Sequence, residues 1–118
     1  MKLAIVAGGR TYSDRNRMRE ILTEEALTFI IEGDASGADS LAGKLANEIG
    51  IDYIKVPALW ATRGNSAGHR RNALMARILV KLADGNPIML IAFPGGTGTA
   101  GMVKIAESLN IPVRKVDF

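Results

Sequence analysis

Cysteine is absent from the 118 residues and histidine occurs once. The first absence excludes a disulfide framework and any thiolate metal site. The second excludes a multi-histidine metal centre within one chain. Aromatic residues are only 5%, so no stacking platform for single-stranded nucleic acid stands out. No apolar run approaches the roughly 20 residues that span a bilayer. The N-terminal apolar stretch ends at Ala7, too short for a signal peptide. The expectation is a cytoplasmic protein with no membrane association, no metal-ligating site residues and no resident cofactor. A formal charge of +3 and a pI near 9.5 suit an anionic ligand. The fifteen Lys and Arg are spread along the chain, which ranks nucleic acid below a small molecule.

What is present is an ordinary α/β composition, 47% hydrophobic, long enough for one domain with a single buried core. Apolar runs without alternation predict strands at Lys2–Ala7, Thr28–Glu32, Asp52–Val56, Ile88–Ala92 and Val113–Val116. Between them lie helical patterns. The first is capped by Ser13 or Asp14 and carries Met18, Ile21 and Leu22. The second has Leu41, Leu45, Ala46 and Ile49 on one face and stops at Gly50. A third runs from about His69 to Lys81, with Leu74, Ile78 and Leu82 at helical spacing. The last carries Met102, Ile105, Ala106 and Leu109. Ala58–Gly68 has no periodicity and reads as a functional loop.

Strands alternating with helices imply one Rossmann-like three-layer domain, about five parallel strands with helices on both faces. The polar clusters Gly8–Asp14, Gly33–Ser40, Trp60–Asn72 and Pro94–Thr99 each follow a strand. Such a fold brings them to the carboxyl edge of the sheet, where ligands bind at the reversal of strand order.

The cluster that organises the rest is Phe93-Pro94-Gly95-Gly96-Thr97-Gly98-Thr99-Ala100-Gly101, placed between a strand and a helix. The first amides of a helix lack internal partners and carry the positive end of its dipole. Glycines let that backbone approach a ligand oxygen, so Gly95, Gly96 and Gly98 read as a phosphate cradle, with Thr97 and Thr99 adding hydroxyls. The run also fits G-x-G-x-x-G, yet only one strand follows it, and no lysine follows as in a P-loop. Arg10, after Gly8-Gly9 at a strand end, suits a phosphate or carboxylate. Arg70 and Arg71 open a helix, where cations oppose the dipole, so they face an anion or acids of neighbouring loops. Asp39 is either a first-turn residue of its helix or a ribose contact. Glu32 either binds a ribose hydroxyl or pairs with an arginine. Trp60 either stacks on a base or closes the small core. Met75 is expected to pack beneath the site.

Four motifs in this order resemble the SLOG superfamily, most closely its small YpsA-related members from bacteria and phages. They are Gly8-Gly9-Arg10; Glu32-Gly33 with Ser36-Gly37-Ala38-Asp39; Gly68-x-x-Arg71-Asn72-x-x-Met75; and Phe93-Pro94-Gly95-Gly96-x-Gly98-Thr99. The resemblance spans nearly the whole chain and implies a Rossmann-like domain that binds a nucleotide or nucleotide-derived molecule. It also implies ligand contacts at Gly33, Ser36, Gly37, Arg71, Asn72 and Pro94, and pairing into a homodimer. The glycine motif is similar to that of LOG phosphoribohydrolases, which cleave nucleoside monophosphates. Their catalytic glutamate, three residues past the threonine, corresponds to Met102, which can neither accept a proton nor stabilise charge. Glu32 and Asp39 are the acids left for such chemistry. The first motifs also echo DprA, a family that binds single-stranded DNA. Binding of a nucleotide-derived molecule is therefore the leading expectation, N-glycosidic hydrolysis the alternative and DNA binding the third.

Overall fold

The computed structural model describes all 118 residues. The chain runs β1 (Leu3–Ala7), α1 (Arg15–Glu24), β2 (Phe29–Glu32), α2 (Ala38–Ile49) and β3 (Asp52–Lys55). A four-residue helix α3 (Trp60–Arg63) and a 3-10 turn at Gly64–Ser66 lead into α4 (Ala67–Ala83). The chain closes with β4 (Ile88–Ala92), α5 (Thr97–Ser108) and β5 (Val113–Lys115). All five strands are parallel, in the order β3-β2-β1-β4-β5, so this is a Rossmann-like α/β fold. No helix is long and apolar enough to cross a membrane.

The strands lack polar alternation because both faces of the sheet are covered. Ala4, Val6 and Ile30 point to one face and pack with Met18, Ile21 and Leu22 of α1 and Leu45 of α2. Leu3, Ile5 and Ile31 point to the other, against Met75 and Leu79 of α4 and Met102 and Val103 of α5. Of the two candidate caps for α1, Asp14 is the one used: its side chain accepts from the Arg17 amide. Gly50 ends α2 in the left-handed conformation, at φ 81°.

Two expectations are corrected. Ala58–Gly68 is not an irregular loop, since it contains α3, the 3-10 turn and the start of α4. Its segments are too short for apolar periodicity to register. Of the three apolar residues at helical spacing on α4, only Ile78 packs against the core. Met75, Ala76, Leu79 and Ala83 are buried, while Leu74 and Leu82 remain 40% and 44% exposed. Apolar residues surround most of this helix, and the alanines allow the closer approach to the sheet.

Candidate functional site

β1 and β4 are hydrogen-bonded neighbours in the middle of the sheet, yet the chain leaves them in opposite directions. From β1 it goes by α1 to β2; from β4 it goes by α5 to β5. The loops therefore diverge and leave a crevice at the carboxyl edge, as expected for a doubly wound sheet. A cavity of about 680 Å³ occupies it, walled by residues from all four loops. That volume is in the range of small-molecule sites.

The crevice rests on close backbone packing. The Gly9 amide donates to Pro94 O (2.8 Å), and the Ala38 amide donates to Gly9 O (3.1 Å). Gly37 sits at φ +77°, and a β-carbon there would lie 2.3 Å from Gly9 O. At Gly95 a β-carbon would lie 2.3 Å from Thr99 Oγ1 and 2.7 Å from the Gly9 amide nitrogen. These two glycines are required by packing alone. Neither lines the cavity, and neither do Pro94 and the exposed Ser36, so these four lie outside the cavity wall.

Gly96, Gly98 and Gly101 are different. Each faces open space, with nothing within 4 Å of an added β-carbon, and none has positive φ. All three line the cavity. Gly98 and Gly101 lie inside α5, where glycine costs up to about 1 kcal/mol relative to alanine. Nothing within the protein repays that cost. Gly96 caps α5 without a side-chain bond, and the first helical hydrogen bond runs from the Ala100 amide to Gly96 O. The amides of Thr97, Gly98 and Thr99 are thus left without helical partners beside the cavity. Thr99 is buried, and Thr97 stands exposed at the rim.

Arg10 lines the cavity, exposed and in no ion pair of the protein. Arg71 is half committed. It donates to Gly33 O and, through Nε, to Asn72 Oδ1 (2.9 Å), so it fastens the loop after β2 to α4. Asn72, buried, passes the tie onward by donating to Gly98 O (3.2 Å). A β-carbon at Gly33 would meet the Arg71 guanidinium and the Asp39 carboxylate, so a side chain there would displace both. Trp60, 51% exposed, lines the cavity with its ring against Gly68.

The two acids separate. Asp39 is on the cavity wall, buried, accepting from the Ala35 amide at 3.3 Å. Burial pushes its carboxyl up to about 6; the Arg71 charge and the Ala35 and Gly33 amides pull down but do not win. Glu32 does not line the cavity. It is fully buried on the α2 side of the sheet, near Gly43 and Tyr53. One of its oxygens accepts from the Asp34 amide, and Oε2 has no partner. Burial, aided by the charges of Asp39 and Asp34, pushes it up to about 7, against the Asp34 amide and Lys55. A pairing of Glu32 with Arg10 or Arg71 is not formed.

Sequence reasoning passed over Asp34 as a single residue; it lines the cavity at φ +57° and pairs with Lys55 at 3.8 Å. Its place in the polar loop after β2 was the available signal. His69 and Asn65 also reach the wall, as does Met102, which lies buried on the floor. No group of three or more His, Asp or Glu side chains is placed to hold a metal ion. A scan of protein-family models finds no match to this chain, and a search of curated proteins finds none.

Proposed function

We propose that the protein binds a nucleotide or nucleotide-derived small molecule, with a phosphate seated on the amides of Thr97, Gly98 and Thr99. The observation that carries this reading is the opening of those amides onto the cavity between glycines that packing does not require. A phosphate there meets three N–H donors and the positive end of a 12-residue helix. Arg10 supplies the mobile countercharge, and the unused donors of Arg71 face the same space. Asp39 is placed to accept from a hydroxyl or an amino group, and Trp60 offers a ring face to a base.

Thermal shift with nucleoside monophosphates, nucleotide sugars and the matching nucleosides tests the reading. A ligand at 100 times its Kd adds about 2.7 kcal/mol to stability. Phosphorylated compounds should raise Tm and nucleosides should not, and Arg10→Ala should weaken the effect. Equal shifts with nucleosides would remove the phosphate from the account.

One observation favours the hydrolase as a second reading. Asp39 is a buried acid on the cavity wall with a carboxyl near 6, a suitable value for general acid–base work at neutral pH. Release of free base from a nucleoside monophosphate, abolished in Asp39→Asn, would establish it. Glu32 drops out of this role because it does not reach the cavity.

A further inference from the structure

The cations are spread along the sequence, but the acids are not. From Tyr53 to Ala83 the chain carries six of its fifteen Lys and Arg and none of its twelve Asp and Glu. That segment builds α3 and α4, so the protein's positive excess lies on one side. None of the ion pairs includes Arg63, Arg70 or Arg77. Arg70 bonds only the Ser66 hydroxyl, at 3.0 Å.

These three arginines line a second cavity, a groove of about 510 Å³ between α3, α4 and α5. Leu59, Leu74, Ile105 and Leu109 also line it, and no acidic residue does. Leu59, Leu74 and Leu109 are 57%, 40% and 47% exposed. Leucines at this exposure in a concave, arginine-lined surface are an unpaired apolar patch of the kind that marks an interaction site.

We propose that this groove receives an acidic amphipathic helix of another protein, with leucine-type side chains on the apolar residues and carboxylates on Arg63, Arg70 and Arg77. A helix in a groove is read by anchors at helical spacing, and the lining charge selects the flanking residues. A second copy fits less well. Pairing of two copies through this same face about a two-fold axis brings like arginines together without a carboxylate between them. Nucleic acid also fits less well, because its phosphates would meet leucines and no Phe, Tyr or Trp lines the groove to stack on a base. The groove adjoins the first cavity and shares Pro57, His69 and Arg71 with it, but Arg63, Arg70, Leu74 and Arg77 line the groove alone, so the proposal does not rest on the nucleotide reading.

The test is fluorescence anisotropy with a synthetic helical peptide of about 16 residues, leucines at i, i+3, i+4 and i+7 and glutamates beside them. Controls are a scrambled peptide, the same peptide with lysine for glutamate, and a single-stranded oligonucleotide. The acidic peptide should bind saturably and roughly tenfold or more tighter than either peptide control. Leu74→Asp and the exposed Arg70→Glu/Arg77→Glu pair should each weaken it by a similar factor. Circular dichroism checks that these variants fold, and their nucleotide thermal shift should match the wild type. Peptides bound without discrimination would overturn the proposal. So would an oligonucleotide that binds and displaces the acidic peptide, or a dimer in native mass spectrometry that Leu74→Asp dissociates.

Discussion

At the scale of single residues, Glu32 is a buried carboxyl with one oxygen unpartnered. Its folded pKa of about 7 lies above the ordinary 4.5, so the folded protein holds this proton more tightly than the unfolded chain. Between those values the unfolded chain releases the proton and the folded one keeps it, so stability falls as pH rises. Asp39 acts in the same direction between 3.8 and about 6. Thermal melts should show Glu32→Gln more stable than wild type at pH 8, with Tm raised by about 5 °C. The advantage should disappear near pH 4.5. A variant less stable than wild type at pH 8 would show that the charged carboxylate is held by contacts stronger than the Asp34 amide. Position and residue type marked Glu32 and Asp39 as candidate acids, but not which one lines the cavity. Side chains alternate along a strand, and the direction of Glu32 was settled by the space that Gly43 leaves on α2.

At the scale of elements, α5 carries a trade-off. Gly98 and Gly101 have open space where a β-carbon would sit and an unstrained helical backbone. Alanine at either position should stabilise the ligand-free protein by about 0.5–1 kcal/mol, read as a higher Tm. Both substitutions intrude on the cavity, so the same proteins should bind nucleotide more weakly. Gain of stability without loss of binding would show that these glycines do not serve the ligand. Gly95 belongs to the opposite class: Gly95→Ala should destabilise, because Thr99 and Gly9 occupy the space. A sequence reading treats the glycines of this turn alike, and only the packing around them separates the two kinds. The strands were legible because short apolar runs without alternation fit strands covered on both faces. The inner stripe of α4 was not, because Leu74, Ile78 and Leu82 satisfy helical spacing as well as Met75, Leu79 and Ala83 do.

At the scale of the whole molecule, sheet order determines where chemistry gathers. Reversal between β1 and β4 opens the crevice, and four loops separated in sequence meet there. Counting polar clusters after predicted strands anticipated this meeting, since parallel strands send all their carboxyl ends one way. The distribution of unpaired charge was less legible, because fifteen cations look evenly spaced until their acid partners are located. The ion pairs involve residues of α1, α2, β3 and β5, the segments flanking β2, and Lys2 and Asp117, whereas α3 and α4 leave Arg63, Arg70 and Arg77 without acids. The molecule thus presents two adjoining surfaces, a polar crevice at the carboxyl edge of the sheet and an arginine-lined groove between α3, α4 and α5.

Amide NMR reads directly whether the start of α5 holds a phosphate. Uniformly nitrogen-15-labelled protein is titrated with a nucleoside monophosphate that raises Tm and, separately, with its nucleoside. The largest shifts should fall at the amides of Thr97, Gly98 and Thr99, saturating with the nucleotide and absent with the nucleoside. Shifts centred on α3 and α4 with the α5 amides unmoved would contradict a phosphate there.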